Sequence, residues 1–262
     1  MKTLEESVAQ AMDGSDVAIV PFLPYILQDA WEIGTPAETV IGLVRRHLQQ
    51  HERLNVLDLG CGKGAVAVKL AREFGCRCLG IDAIGDFIEF ASTKASELGV
   101  DRLCRFETED IRARIRSLGR FDVIVLGAIG PVFGDHRVTL EILSPHLRQG
   151  GMVVIDDGYI ADDSPHVHPL VVRRGDLLRQ IAAAGMELAE EVVVGHEEMK
   201  EMDDALFRDL EKRCRELVAL HPEKRQMFED YIRRQVKENE WLENKITCAV
   251  LVIKMQAPVV RR

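Results

Sequence analysis

The stretch that decides the fold is Val56-Leu57-Asp58-Leu59-Gly60-Cys61-Gly62-Lys63-Gly64, followed directly by Ala65-Val66-Ala67-Val68-Lys69-Leu70. Asn55 to Leu59 is a short apolar run of strand length, and Gly64 to Phe74 carries helix periodicity until Gly75 stops it. Between the two lie glycines at alternate positions. Glycine lets the backbone turn tightly and, lacking a Cβ, lets a ligand approach the main chain closely. A strand, a glycine loop and a helix in that order open a βαβ unit with a ligand-binding turn. The same residues would also build a tight turn that holds nothing, so the loop needs support from elsewhere in the chain.

That unit repeats. Arg77 to Ile81 reads as a strand, Phe87 to Leu98 as a helix, Cys104 to Glu107 as a strand and Ile111 to Leu118 as a short helix. Phe121 to Leu126 and Gly151 to Ile155 read as buried strands, and His136 to Leu147 and Gly175 to Ala184 as helices. Strands alternating with helices predict a mostly parallel sheet with helices on both faces and right-handed crossovers. Near the end of the chain the alternation breaks. Met186 to Val194 and Ile246 to Lys254 both read as strands, separated by the charged, helix-periodic stretch His196 to Lys245 with a break at Pro222. Upstream, Glu38 to Leu48 carries an amphipathic stripe, and the apolar segment Val20 to Trp31 is interrupted by Pro21 and Pro24. The expected organisation is a single α/β domain over residues 1–262. It comprises a helical cap (1–51), a ligand-binding core (52–195), a helical insertion (196–245) and a last strand (246–256).

Three carboxylates narrow the ligand. Asp58 stands two residues before Gly60, where it can face an ammonium group and would repel a pyrophosphate. Asp82 closes the second strand in Gly80-Ile81-Asp82, where a carboxylate can accept both ribose hydroxyls of a nucleoside. Asp110 follows the third strand in Thr108-Glu109-Asp110-Ile111, within reach of an adenine amino group. Each aspartate alone would serve as a helix cap; their joint placement at successive strand ends marks a binding edge. Gly60, Gly62 and Ala65 also fit the dinucleotide pattern G-x-G-x-x-A, which keeps an NAD(P)-dependent oxidoreductase as the alternative.

Taken in order, VLDLGCGKG (Val56 to Gly64), GIDA (Gly80 to Ala83), EDI (Glu109 to Ile111), FDVIVLGA (Phe121 to Ala128) and LRQGGMVVIDD (Leu147 to Asp157) carry a family likeness. Over residues 54–195 the sequence resembles the class I, Rossmann-like S-adenosylmethionine-dependent methyltransferases, and Ile246 to Lys254 matches their last strand. The resemblance implies a seven-stranded sheet with the last strand antiparallel, S-adenosyl-L-methionine as cofactor, and methyl transfer to a small molecule by in-line displacement. It implies that the loop Gly60, Cys61, Gly62 and Gly64 lines the methionine part of the cofactor, with Asp58 near its amino group. Asp82 would bind the ribose hydroxyls, Ala83 would pack beside the adenine, Asp110 would take the adenine amino group with Ile111 against the ring, and Gly127 would lie below the sulfonium. A protein that uses the same fold to bind the cofactor without turning it over is a further alternative.

Methyl transfer chiefly requires near-attack placement and exclusion of water, with a general base when the nucleophile is a hydroxyl or an ammonium. The segment after the fifth strand, Asp156 to His168, holds four aspartates and two histidines. From it Asp157, Tyr159 and His168 are the expected base or substrate contacts. The same residues could form an oxygen-rich metal site, but magnesium-dependent members of the family place an aspartate where this chain has Gly127, so no metal is expected. The fourth strand lacks an Asn/Asp-Pro-Pro-aromatic signature, which disfavours methylation of adenine or glutamine amino groups. In the family the acceptor pocket lies in the N-terminal cap and late insertions, which points to Tyr25, Trp31 and His196. The insertion could instead be a homodimer surface.

Composition sets the outer limits. The 262 residues carry a formal net charge of -9 and are 47 % hydrophobic but only 5 % aromatic, which argues against gripping a phosphate backbone or stacking bases. No apolar run has the length of a membrane span, and the first residues lack the apolar stretch of a secretory signal. The six cysteines form no C-x-x-C pair. A cytoplasmic protein that binds neither nucleic acid nor membrane is expected.

Overall fold

The computed structural model describes residues 2–256. Helix α1 (Leu4–Ala11), a 3-10 turn (Val17–Phe22), α2 (Leu23–Ile26) and α3 (Ala37–His47) precede the first strand, β1 (Asn55–Leu59). There follow α4 (Ala65–Phe74), β2 (Arg77–Asp82), α5 (Gly85–Glu97), β3 (Cys104–Thr108), α6 (Ile111–Arg114) and β4 (Phe121–Gly127). The chain continues through α7 (His136–Leu143), β5 (Leu147–Tyr159), α8 (Arg174–Ala183), β6 (Met186–Val193), α9 (His196–Leu220), α10 (Arg225–Asn244) and β7 (Thr247–Met255).

The strands form one sheet of seven in the order β3-β2-β1-β4-β5-β7-β6, in which β7 runs antiparallel to both neighbours. Strand β1 pairs in parallel with β2 on one side and β4 on the other. The glycine loop therefore leaves the sheet where the direction of the crossovers reverses, the place at which open α/β sheets bind ligands. Alternation along the strands divides the core. Val56, Val125, Val154 and Val252 pack against α3 and α4, whereas Leu57, Ile124, Ile155 and Leu251 pack against α7 and α8.

A third core joins parts of the chain that the sequence treated separately. Ile19, Leu23, Ile26 and Leu27 from the N-terminal segment pack with Leu210, Cys214, Leu217, Phe228 and Tyr231 from α9 and α10, and Phe87 of α5 touches the same cluster. Cap and insertion thus make one helical lid. Boundaries that differ from expectation include two that bear on the site. The helix from His136 stops at Leu143 because Pro145 cannot continue it, leaving a 3-10 turn at Ser144–His146. Strand β5 runs to Tyr159, four residues past the expected end, because β7 pairs with it beyond the reach of β4, at Asp157↔Ala249, Gly158↔Cys248 and Tyr159↔Thr247.

Candidate active site

The glycine loop has the geometry its composition allows. Gly60 sits at φ +70°, and a Cβ there would lie 2.5 Å from Cγ2 of Ile129. Gly64 sits at φ +73°, and a Cβ would lie 2.6 Å from that of Ala91, so both positions require glycine. Asp82 clamps the turn: Oδ2 accepts from the Gly62 N–H at 2.8 Å and Oδ1 from the Ile84 N–H at 2.9 Å. One carboxylate thereby ties the loop to the start of α5, and burial pushes its pKa up. Ala83 is the next residue, half-buried on the same turn.

Beside the loop lies a small pocket of about 30 Å³, walled by Trp31, Thr35, Asp58, Gly60, Cys61 and Gly127 among others. Asp58 is its electrostatic centre. It is 3 % exposed, and its Oδ2 has no hydrogen-bond partner among the described residues. Burial, with the charge of Asp82 second, pushes its carboxyl up to about 7. A buried carboxylate oxygen left without a donor is costly, and the cost is recovered when a ligand supplies an N–H group. Cys61 packs in the same wall. Burial and the nearby Asp58 raise its pKa well above the ordinary thiol value, so it is a neutral filler and no nucleophile.

Several expected site residues lie elsewhere. Along β5 the odd positions share the face of Val153 and Ile155, so Asp157 and Tyr159 point toward α7 and α8, away from Asp58 and Gly127. Asp157 Oδ2 meets His136 Nε2 at 3.1 Å, and the Tyr159 hydroxyl donates to Glu191, which also pairs with Arg174 at 2.7 Å. The structure does not bring either to the pocket; the strand-end residue on the pocket face is Asp156. His168 packs against Trp241 with ring centroids 5.0 Å apart, and its Nδ1 accepts from the Leu170 N–H, so it braces a loop. His196 is exposed at the start of α9, with Nδ1 2.8 Å from the Glu243 carbonyl. Tyr25 donates to Glu216 at 2.8 Å beneath Arg213 and links α2 to α9. Of the three expected acceptor-pocket residues, Trp31 alone lines the pocket, its Nε1 donating to the Lys63 carbonyl at 3.1 Å.

At the far rim, Asp110 caps α6 through the Arg112 N–H at 2.9 Å and holds the Arg112 guanidinium at two points, which keeps its pKa low. Arg112 also donates to the Lys2 carbonyl at 3.0 Å and the Ser7 hydroxyl at 2.9 Å, fastening α1 to this rim. Ile111 is buried beside it. Among the described residues no group of three His, Cys, Asp or Glu side chains is arranged to hold a metal ion.

Comparison with known proteins agrees with this geometry. The family model described as a methyltransferase domain matches residues 50–226, roughly two thirds of the chain. The chain belongs to the methyltransferase domain family. An uncharacterized methyltransferase of Bacillus subtilis is 28 % identical over 123 residues, 47 % of this chain and 48 % of that protein. A ubiquinone biosynthesis O-methyltransferase of Rickettsia felis is 31 % identical over 122 residues, 45 % of this chain and 47 % of that protein. The match thus spans about half the length of these curated relatives. A crystal structure of a SAM-dependent methyltransferase from Geobacter sulfurreducens, in complex with S-adenosyl-L-homocysteine, shares the fold with a TM-score of 0.75. The two are 21 % identical, and the superposition covers 90 % of this chain and 98 % of that one.

Three residues of this methyltransferase domain escaped the sequence reading. Lys63, inside the glycine loop, is 4 % exposed; its Nζ donates to the Leu27 and Ala30 carbonyls and lies 4.8 Å from the Phe90 ring centroid. Burial brings its pKa down to about 8. With the Trp31 indole bonded back to the Lys63 carbonyl, the lid is pinned to the loop from both sides. The available signal was a lysine within an otherwise small-residue turn. Thr35 is 5 % exposed and covers Gly127, where a Cβ would lie 2.4 Å from the Thr35 Oγ1. Asp156 pairs in register with Gly127, and burial pushes its carboxyl up to about 6 against the pull of the Thr35 hydroxyl.

Proposed function

We propose that this protein is an enzyme that transfers the methyl group of S-adenosylmethionine to a small-molecule acceptor. The observation that carries the reading is Asp58, a buried carboxylate oxygen without a donor, in the wall of the pocket beside the glycine loop. The residues present fit the cofactor. Asp58 offers the acceptor for its ammonium group, and the open side of Gly62, where a Cβ would meet nothing within 4 Å among the described residues, leaves main chain free for close approach. In this reading Gly60, Cys61, Gly62 and Gly64 cradle the methionine part, Asp82 holds the ribose, and Ala83, Asp110 and Ile111 flank the adenine. Gly127 leaves room under the reacting centre. Bound, the cofactor supplies a methyl group on a positively charged sulfur, a leaving group already in place. Trp31 and Thr35 wall the pocket, and Lys63 fixes the lid above it, so the protein's part is orientation and exclusion of water.

An NAD(P)-dependent reading fits less well, because a pyrophosphate at this loop would face Asp58 and Asp82, and Lys63, the cation within the loop, is committed to the lid carbonyls. Calorimetric titration with S-adenosylhomocysteine, beside fluorescence titration with NADH, tests the assignment. Saturable binding of the first and none of the second is expected; the reverse would overturn it. Six free thiols fit a reducing, cytoplasmic compartment, and no helix among the described residues is long and apolar enough to cross a membrane.

A further inference from the structure

We propose that residues 27–35 form a strap that swings off the glycine loop to admit the cofactor and closes over it again, with Lys63 as the residue that positions the closed strap. The inference rests on the methyl-transfer reading and adds how the site of that reaction is opened. Between α2 and α3 the chain crosses the loop without helix or strand, and its alternate residues Trp31, Ile33 and Thr35 line the pocket together with Asp58, Gly60 and Cys61. The pocket of about 30 Å³ has room for about two water molecules. An amino-acid-sized group cannot enter while the strap stays down.

The strap is held in a way that permits opening. Residues 31–35 take part in no backbone–backbone hydrogen bond among the described residues. Segments of that kind open locally at low cost. Side chains hold them instead. The Trp31 indole donates to the Lys63 carbonyl at 3.1 Å, and Glu32 pairs with Lys69 and accepts from the Ala37 N–H at 3.1 Å. Toward α3, Gly34 sits at φ +84° against Ala128, where a Cβ on the glycine would lie 2.7 Å from that of Ala128. Ala128 is itself a non-glycine residue at φ 52°, a costly conformation, with its N–H bonded to the Asp156 carbonyl at 3.1 Å. The strap closes onto a strained strand end.

Lys63 is the latch. Its Nζ reaches from the loop to the Leu27 and Ala30 carbonyls at the root of the strap, with the Phe90 and Phe87 ring centroids at 4.8 and 5.8 Å. It makes no ion pair among the described residues: Asp29, which lies between those two carbonyls in sequence, is held at two points by Arg213 of α9, at 2.6 and 2.8 Å. A buried ammonium bonded only to carbonyls keeps a desolvation cost that water relieves when the strap lifts. A ligand gripped only while the strap is down tips the equilibrium back to the closed state.

The test is stopped-flow fluorescence on the full chain carrying Trp241→Phe, which leaves Trp31 as the sole tryptophan reporter. With S-adenosylhomocysteine in excess, the association rate should rise and then level off at the rate of strap opening. Lys63→Met removes both Nζ hydrogen bonds and keeps the main-chain carbonyl that Trp31 uses. In it the plateau and the dissociation rate should each rise tenfold or more. An association rate that stays linear in ligand concentration, or unchanged rates in a folded Lys63→Met, would overturn the strap while leaving the cofactor reading intact. The shape of the association curve with Lys63 in place decides the matter even if the variant does not fold. Failure of S-adenosylhomocysteine to bind in calorimetry would instead remove the methyl-transfer reading and this inference with it.

Discussion

Asp156 and Asp157 are neighbours in sequence with opposite surroundings. Asp156 pairs in register with Gly127 and meets Thr35, and burial raises its pKa to about 6. Asp157 faces α7 and meets His136 at 3.1 Å. The same contrast holds for the two faces of the whole sheet edge. The pocket face keeps the Asp58 Oδ2 without a partner, while the opposite face completes its pairings as Asp157–His136 and Tyr159–Glu191–Arg174. Unpaired buried polar groups cost stability. A protein that retains them on one face and satisfies them on the other has a use for a ligand on the first.

The largest expected effect on ligand binding comes from the loop that shapes the pocket face. Gly60→Val forces a β-branched residue to φ +70° and places its Cβ 2.5 Å from Ile129. Urea unfolding should report a loss of about 2–4 kcal/mol, from the left-handed backbone and the overlap together, and calorimetry should register no S-adenosylhomocysteine binding. A variant that binds normally would mean that the loop shape is unimportant.

The largest effect on stability is a pH dependence that belongs to the pocket face. Burial raises Asp58 to about 7 and Asp156 to about 6, both above their unfolded values. Such groups stabilise the fold fully below the unfolded carboxylate range and lose that contribution as pH rises through the folded pKa. The lid residue Asp13, raised to about 7 by burial, adds in the same direction. Unliganded protein should therefore lose roughly 5 to 7 kcal/mol between pH 5 and pH 8 in urea titrations, about 2 to 3 from each of Asp58 and Asp13 and about 1 from Asp156, and Asp58→Asn should flatten the slope. A stability that climbs over this interval would contradict the assigned burial of these carboxylates. The smallest effect lies on the opposite face: Tyr159→Phe should cost about 1 kcal/mol, one hydrogen bond to a charged partner, and leave ligand affinity within about twofold.

What could be read in the sequence divides along physical lines. The strands, the glycine loop and the places of Asp58, Asp82 and Asp110 at successive strand ends were legible because each depends on local periodicity and on a short motif. Asp156 was not singled out, because the fifth strand reads locally as ending at Ile155; its extension to Tyr159 comes from pairing with β7, almost a hundred residues later in the chain. Without that extension, the alternation that sends Asp157 and Tyr159 to the far face cannot be assigned. Lys63 and Thr35 depend on a contact between the N-terminal segment and the loop, which no local pattern contains. The joint core of cap and insertion has the same origin: Leu23 and Phe228 lie at opposite ends of the chain and are both fully buried in it.

The central claim, that the face bearing Asp58 is the ligand-binding face, is tested most directly by titrating Asp58→Asn and Asp157→Asn with S-adenosylhomocysteine under the same conditions. Loss of a buried acceptor for the ligand's ammonium should weaken binding to Asp58→Asn by about 1–3 kcal/mol, roughly 5- to 150-fold, while Asp157→Asn should match the unaltered protein. Equal losses in the two variants, or a loss confined to Asp157→Asn, would contradict the account.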